Sequence, residues 1–152
     1  MQVLIYSMTK FFTKYVNKNT VLPQDESISS VFLIALQGSK ILAIKNERGW
    51  DIPGGHVEKG ETPKEALIRE VQEEAGVSFS DSKILAIVES DDEEKYKNKA
   101  MLVYTTNNFI LGEFNISEDA FDREVIEIDD FLQRYKDRFD FTEMIKKAKE
   151  LY

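Results

Sequence analysis

The chain has no cysteine. Disulfides and thiolate metal sites are therefore excluded, as befits a reducing compartment. It also lacks a long apolar run. The longest, VFLIAL at 31–36, is far too short to span a bilayer. The first ten residues, MQVLIYSMTK, have no basic lead, no long apolar stretch and no small-residue cleavage pattern, so no signal peptide is expected. These absences together predict a soluble, cytoplasmic protein. Basic side chains are in deficit: 20 Lys and Arg against 28 Asp and Glu give a formal charge of −8. That disfavours a long nucleic acid as the main partner, since phosphate-backbone binding needs a cationic surplus. A small phosphorylated ligand stays compatible, because a bound cation can supply the positive charge. No repeat, low-complexity tract or Pro/Gly/Ser linker divides the 152 residues, and hydrophobic residues at 42% suffice for a packed core. One domain over 1–152 is expected.

Apolar runs bounded by turn residues mark the strands. SVFLIAL (30–36) and KILAIK (40–45) flank QGS, which reads as a hairpin with Gly38 in the turn. KILAIVES (83–90), KAMLVYTT (99–106) and NFIL (108–111) are further strands, and residues 2–6 (Gln2 to Tyr6) and 10–16 are short edge candidates. RGWDIPGG (48–55) reads as a loop, as does the charged ESDDEEKYKNK. Near the end, IDDFLQRY suggests a short helix, and FTEMIKKAKELY sets Phe141, Met144, Ile145, Ala148, Leu151 and Tyr152 on one helical face. Strands outnumber the helices that interrupt them. The class is α/β, with a mixed sheet and helices packed on its faces.

One helix is specified in detail. Thr62 is a good N-cap, Pro63 suits the first helical position, Glu65 completes a capping box and Gly76 suits the position after the end. The helix should run from about Pro63 to Ala75. Leu67, Ile68, Val71 and Ala75 form an apolar arc, and Glu65 and Arg69 are spaced for an ion pair. Glu70, Glu73 and Glu74 occupy an adjacent arc. Like charges at that spacing cost a few tenths of a kcal/mol per pair. Glu73 and Glu74 also face the negative end of the helix dipole, at up to about 1 kcal/mol each. Folding gives no reason for three carboxylates here. A hard divalent cation such as Mg²⁺ or Mn²⁺ does, and a solvated acidic face is the alternative.

The surrounding residues decide between these. In GHVEKGETPKEALIREVQEEAGV (55–77), Gly55 is followed after five residues by Glu61, and after seven more by Arg69-Glu70-Val71-Gln72-Glu73-Glu74-Ala75-Gly76-Val77. The segment resembles the complete signature of the Nudix hydrolase family. The resemblance implies an α/β/α sandwich with the signature helix on one face of a mixed sheet and the C-terminal amphipathic helix packed as well. It implies metal-dependent hydrolysis of a nucleoside diphosphate linked to a further group, by water attack at phosphorus. On that basis Glu70, Glu73 and Glu74 match the metal-ligand carboxylates, with Mg²⁺ the expected ion and Mn²⁺ a substitute. The carbonyl of Gly54 matches the backbone ligand, and Glu61 and Arg69 match the positions that brace the loop on the helix. The base that takes the water's proton is Glu70 or a distal carboxylate, from among Glu118, Asp119 and Glu124; Glu124 is ranked first because it precedes a strand-like segment.

Other residues carry two readings. Gly54 and Gly55 let backbone approach closely, as a substrate's diphosphate would require. Trp50 stacks on a base or packs the loop, with nothing in the sequence to choose between them. Arg48 and Lys45 contact phosphates or remain solvated. His56, the only histidine, reads more simply as a residue beside the site than as a catalyst. Tyr96 and Tyr104 reach the substrate pocket or pack elsewhere. The acidic ESDDEE (89–94) lacks the order of a calcium loop. Subfamily marks narrow the substrate by exclusion. The proline expected about fifteen residues past the signature in ADP-ribose hydrolases is replaced here by Ser90, Asp91 and Asp92, and the extended motif of coenzyme A hydrolases is missing. A MutT-like nucleoside triphosphate pyrophosphohydrolase, acting as monomer or homodimer on a small nucleotide, is the remaining expectation. The competing classes are a non-catalytic nucleotide sensor with the same fold and an acidic cation-binding interaction domain.

Overall fold

The computed structural model describes residues 10–135 and 141–152. The strand expected over residues 2–6 lies outside them. The described chain forms ten strands: β1 (Phe11–Tyr15), β2 (Ile28–Gln37), β3 (Lys40–Asn46), β4 (Gly49–Asp51), β5 (Gly54–His56), β6 (Val77–Ser80), β7 (Lys83–Ser90), β8 (Ala100–Thr106), β9 (Asn108–Leu111) and β10 (Asp122–Glu127). Four helices interleave with them: α1 (Pro63–Ala75), α2 (Glu93–Tyr96), α3 (Ile128–Arg134) and α4 (Phe141–Lys149). The main sheet runs β1-β7-β8-β2-β3-β10, with β4 paired to β3 and β5 to β2; β6 and β9 form a separate ribbon. β2 and β8 are parallel and the other pairs antiparallel, so the sheet is mixed.

The hairpin register follows from its turn. Gln37 faces Lys40, and Gly38 takes a positive φ of 59° that a two-residue connection requires. Along β2 the side chains alternate between two cores. Val31, Leu33 and Ala35 face α1, whereas Ile34 and Leu36 face α3 and α4. Both sheet faces are covered, which is why β2 and β3 read as unbroken apolar runs rather than as alternating ones. On α4, Phe141, Met144, Ile145 and Ala148 are buried as the periodicity predicts, but Leu151 and Tyr152 lie past the helix end and are half-exposed.

Two segments read as loops contain short regular elements. RGWDIPGG holds β4 and β5, too short to leave a periodic signal, and the charged loop holds α2. β6 was also unmarked, because its four residues, VSFS, follow the helix directly. α1 has the expected bounds and caps. Thr62 accepts from the Glu65 backbone, Glu65 reciprocates to the Thr62 backbone, and Gly76 closes the helix in the left-handed region at φ 63°. The buried face differs by one residue: Ala66 is buried and Ile68 is exposed. Because Glu65 is committed to the cap, the expected pair with Arg69 gives way to other partners.

Candidate active site

β5 and α1 meet through contacts that only glycine allows. A Cβ on Gly54 would overlap the backbone of β2, at the Val31 carbonyl and Phe32. A Cβ on Gly55 would land on the carboxyl group of Glu70. With neither present, the helix lies against the strand, and the Gly54 N–H donates to Glu74 Oε1 at 2.8 Å. In this structure Gly54 therefore reaches the cluster through its N–H.

Arg69 organises the other side. Its Nε and Nη2 donate to the two oxygens of Glu61 at 2.7 and 2.9 Å, a bidentate pair. Nη2 also donates to the His56 carbonyl at 3.0 Å, and Nη1 to Glu70 Oε1 at 2.8 Å and Glu73 Oε2 at 3.2 Å. One guanidinium thus ties the loop before the helix to β5 and to two of the glutamates. The Arg69 hydrogen bond and the Glu58 N–H hold the Glu61 carboxyl down at about 2, and Glu61 in turn keeps Arg69 charged.

The three signature glutamates occupy different surroundings. Glu73 projects outward, its side chain 59% exposed. Glu70 is half-buried, which raises its carboxyl against the lowering effect of Arg69. Glu74, one turn further along the same side of the helix, is half-buried and pushed up to about 8. Burial is the main cause; the charges of Glu70, Asp119 and Asp51 add to it, and the Gly54 N–H opposes it. The repulsion expected from the sequence thus centres on Glu74, and its partners include two carboxylates outside the helix. Among the described residues no three acidic or imidazole side chains converge on a single point. The donors nonetheless suit a hard divalent ion: Glu70 and Glu74 are adjacent, all-oxygen and shielded, Asp119 bears on both, and Glu73 is held on the surface by one hydrogen bond to Arg69.

The distal carboxylates separate. Glu118 and Asp119 line a crevice with Glu74, Asn46, Glu47 and Arg48. Glu124 does not reach it. It sits within β10 opposite Ala43, on the sheet face that Ile126 shares with α3, and accepts from Arg134 Nη1 at 3.3 Å. The two-residue alternation of the strand places it there: its neighbours Arg123 and Val125 face α1, and Glu124 faces the other way.

A cavity of about 180 Å³ opens on the opposite side of Gly54 and Gly55. Phe32, Met101, Val103, Phe141 and Met144 give it apolar walls, with Ser30, Asp51 and Tyr96 among its polar groups. Arg48, 3.8 Å from Asp51, borders both this cavity and the acidic crevice. Trp50 is partly buried against the α3–α4 core, with the Lys45 ammonium 5.9 Å and the Arg134 guanidinium 5.4 Å from its ring. His56 lines the cavity, its Nδ1 hydrogen-bonded with Ser30 Oγ at 3.2 Å. Tyr104 belongs to the core under α1, away from the cavity. Asp51 was missed; its only signal was a carboxylate two residues before Pro53-Gly54-Gly55.

Comparison with known proteins agrees with this geometry. The NUDIX domain profile matches residues 25–146. An ADP-ribose pyrophosphatase of Methanocaldococcus jannaschii is 28% identical over 93% of this chain and 89% of its own. An 8-oxo-dGTP diphosphatase of Proteus vulgaris is 36% identical over 37% of this chain and half of its own. Among solved structures, a Bacillus subtilis pyrophosphohydrolase superposes with a TM-score of 0.74 at 25% identity, covering 96% of this chain and 94% of its own.

Proposed function

The chain belongs to the NUDIX family and is a hydrolase of phosphoric anhydride bonds; from that premise we propose that it cleaves the diphosphate linkage of a small nucleoside diphosphate derivative, with Mg²⁺ or Mn²⁺ held by Glu70, Glu73, Glu74 and the Gly54 carbonyl. The observation that carries this reading is Glu74: a half-buried carboxylate set among Glu70, Asp119 and Asp51. As a purely structural device it only costs stability. As a cation ligand it has a purpose.

When bound, the divalent ion neutralises the phosphate oxygens and makes its water more acidic. The chain does the rest. Arg69 locks the loop to the helix so that ligands from both stay in register. With Glu70 and Glu74 holding the cation, Asp119, which bears on both from the crevice, accepts the proton of the attacking water. Asp119 takes the distal place expected of Glu124. The nucleoside portion enters the apolar cavity, the diphosphate crosses the Gly54–Gly55 edge, and Arg48 contacts it from the junction of cavity and crevice.

Exclusion by sequence marks leaves a nucleoside triphosphate as the expected substrate. A nucleoside diphosphate sugar is the second reading, favoured by the relative that aligns along nearly the whole chain, an ADP-ribose pyrophosphatase. The non-catalytic alternative gains no support, because every signature glutamate is retained. The test is a panel of nucleoside triphosphates, dinucleoside polyphosphates and nucleoside diphosphate sugars, incubated with Mg²⁺ or with EDTA. Metal-dependent release of a nucleoside monophosphate is expected. Metal binding without turnover of any compound would overturn the proposal.

A further inference from the structure

The end of α1 that carries Glu73 and Glu74 is held by a residue outside the signature. The last turn of this helix has no basic residue of its own. Its carbonyls are met instead by Arg123, the second residue of β10. Arg123 Nη1 donates to the Ala75 carbonyl at 2.7 Å and to the Gly112 carbonyl at 2.9 Å, with Gly76 O at 3.4 Å. The guanidinium lies 5.4 Å from the Phe114 ring. The Gly112 N–H closes the clasp by donating to the Gly76 carbonyl at 2.8 Å. A cation at this point opposes the negative end of the helix dipole, in the turn that carries Glu73 and Glu74.

Arg123 also stands four residues after Asp119. The turn carrying Asp119 closes through Ser117 N to Ala120 O at 2.8 Å, and is fastened to β3 through Phe121 N to Lys45 O at 2.9 Å. The same short stretch thus presents Asp119 to the crevice and grips the helix end that supplies Glu74. We propose that Arg123 is a positioning residue that fixes the helix-end carboxylates relative to Asp119 and so sets the affinity of the site for its divalent cation. This rests on the metal-site reading above. A lysine keeps the charge but is one atom shorter, so its ammonium falls short of the point where a single Arg123 nitrogen, Nη1, meets carbonyls of both segments.

The test measures Mn²⁺ binding to substrate-free protein, by electron paramagnetic resonance of the free ion, for wild type, Arg123→Met, Arg123→Lys and Phe131→Leu. The last variant weakens the core under α3, away from the helix. A residue that orients ligands without touching the metal typically changes affinity by 10–100-fold, so Arg123→Met should weaken Mn²⁺ binding at least about tenfold and Arg123→Lys by less. Phe131→Leu should lower the melting temperature and leave Mn²⁺ affinity alone. In turnover, the Arg123 variants should need more metal while KM at saturating metal stays the same. Wild-type affinity in a folded Arg123→Met protein, or an equal loss in Phe131→Leu, would overturn the inference alone. If Arg123→Met does not fold, Arg123→Lys decides: weaker binding supports the inference and unchanged binding overturns it. Absence of Mn²⁺ binding by wild type would sink the site reading itself, and the inference with it.

Discussion

Replacing Glu74 by Gln separates the demands of folding from those of catalysis. Gln Oε1 can still accept from the Gly54 N–H, but the variant carries no charge. The Glu74 carboxyl is raised from 4.5 to about 8 in the folded chain. Below pH 4.5 it is protonated in both folded and unfolded states and costs nothing. Between 4.5 and 8 the unfolded chain releases the proton while the folded chain keeps it, so stability falls as pH rises; above 8 the loss is complete. At pH 7 the interval is 2.5 units, an upper figure of about 3 kcal/mol at 1.36 kcal/mol per unit. Partial solvent access reduces this, and we expect Glu74→Gln in EDTA to gain about 1–3 kcal/mol, or about 3–10 °C in Tm for a domain of this size. The gain should vanish at pH 4.

The assay is calorimetric melting of both proteins at pH 4, 7 and 8.5, in EDTA and again in Mg²⁺. Magnesium should stabilise wild type by mass action and the variant much less. Turnover of the substrate found in the panel should fall at least about a hundredfold, the scale of losing a group that stabilises transition-state charge. Unchanged melting at pH 7, an equal gain at pH 4, or unchanged turnover would each refute the reasoning, the first two against the buried charge and the third against its role.

Adjacent glycines should fail in different ways. Gly54→Ala drives a Cβ into backbone and should cost about 2–4 kcal/mol, read by chemical denaturation. Gly55→Ala meets only the movable end of Glu70, so it should cost about 1 kcal/mol yet abolish most activity by displacing that carboxylate. Asp119→Asn should lower turnover at least about tenfold whereas Glu124→Gln stays within about twofold; the reverse order would restore the sequence ranking. Arg69→Lys cannot form the bidentate pair with Glu61, and should lose about 1–3 kcal/mol of stability in urea titrations while raising the metal concentration needed for activity.

What the sequence conveyed depends on how local each cause is. The bounds of α1 are written in Thr62, Pro63, Glu65 and Gly76, because capping is settled within a few residues. The β2–β3 hairpin is legible for the same reason, with one glycine and two apolar runs. β4, β5 and β6 were not, since GWD, GGH and VSFS are brief segments with no apolar run to mark them, unlike the equally short NFIL of β9. The site divides along the same line. The signature names Glu70, Glu73, Glu74, Arg69 and Glu61, but it gives them equal weight, and only packing makes Glu73 a surface residue and Glu74 a strained one.

The distal half of the site shows why position along the chain was a poor guide. The sequence favours Glu124 for its proximity to a strand, and the structure sets it inside that strand, on the face away from Glu74. Alternation in β10 sends Glu124 toward Arg134 and sends Arg123 toward the helix end. Asp119, five residues earlier in a turn, escapes alternation and can face Glu74. The register of β10 against β3 therefore decides two things at once: which carboxylate joins the cluster and which cation clasps the helix. A one-residue slip of that register would exchange the faces of Arg123 and Glu124, taking the clasp from the helix and placing a fourth carboxylate beside its negative end. The pairing of Val125 with Leu42 and of Ile126 with Ile41 opposes such a slip, because it would turn apolar side chains out of both cores. The hydrophobic register of an edge strand thus protects the charge arrangement of a site that its own side chains touch only once.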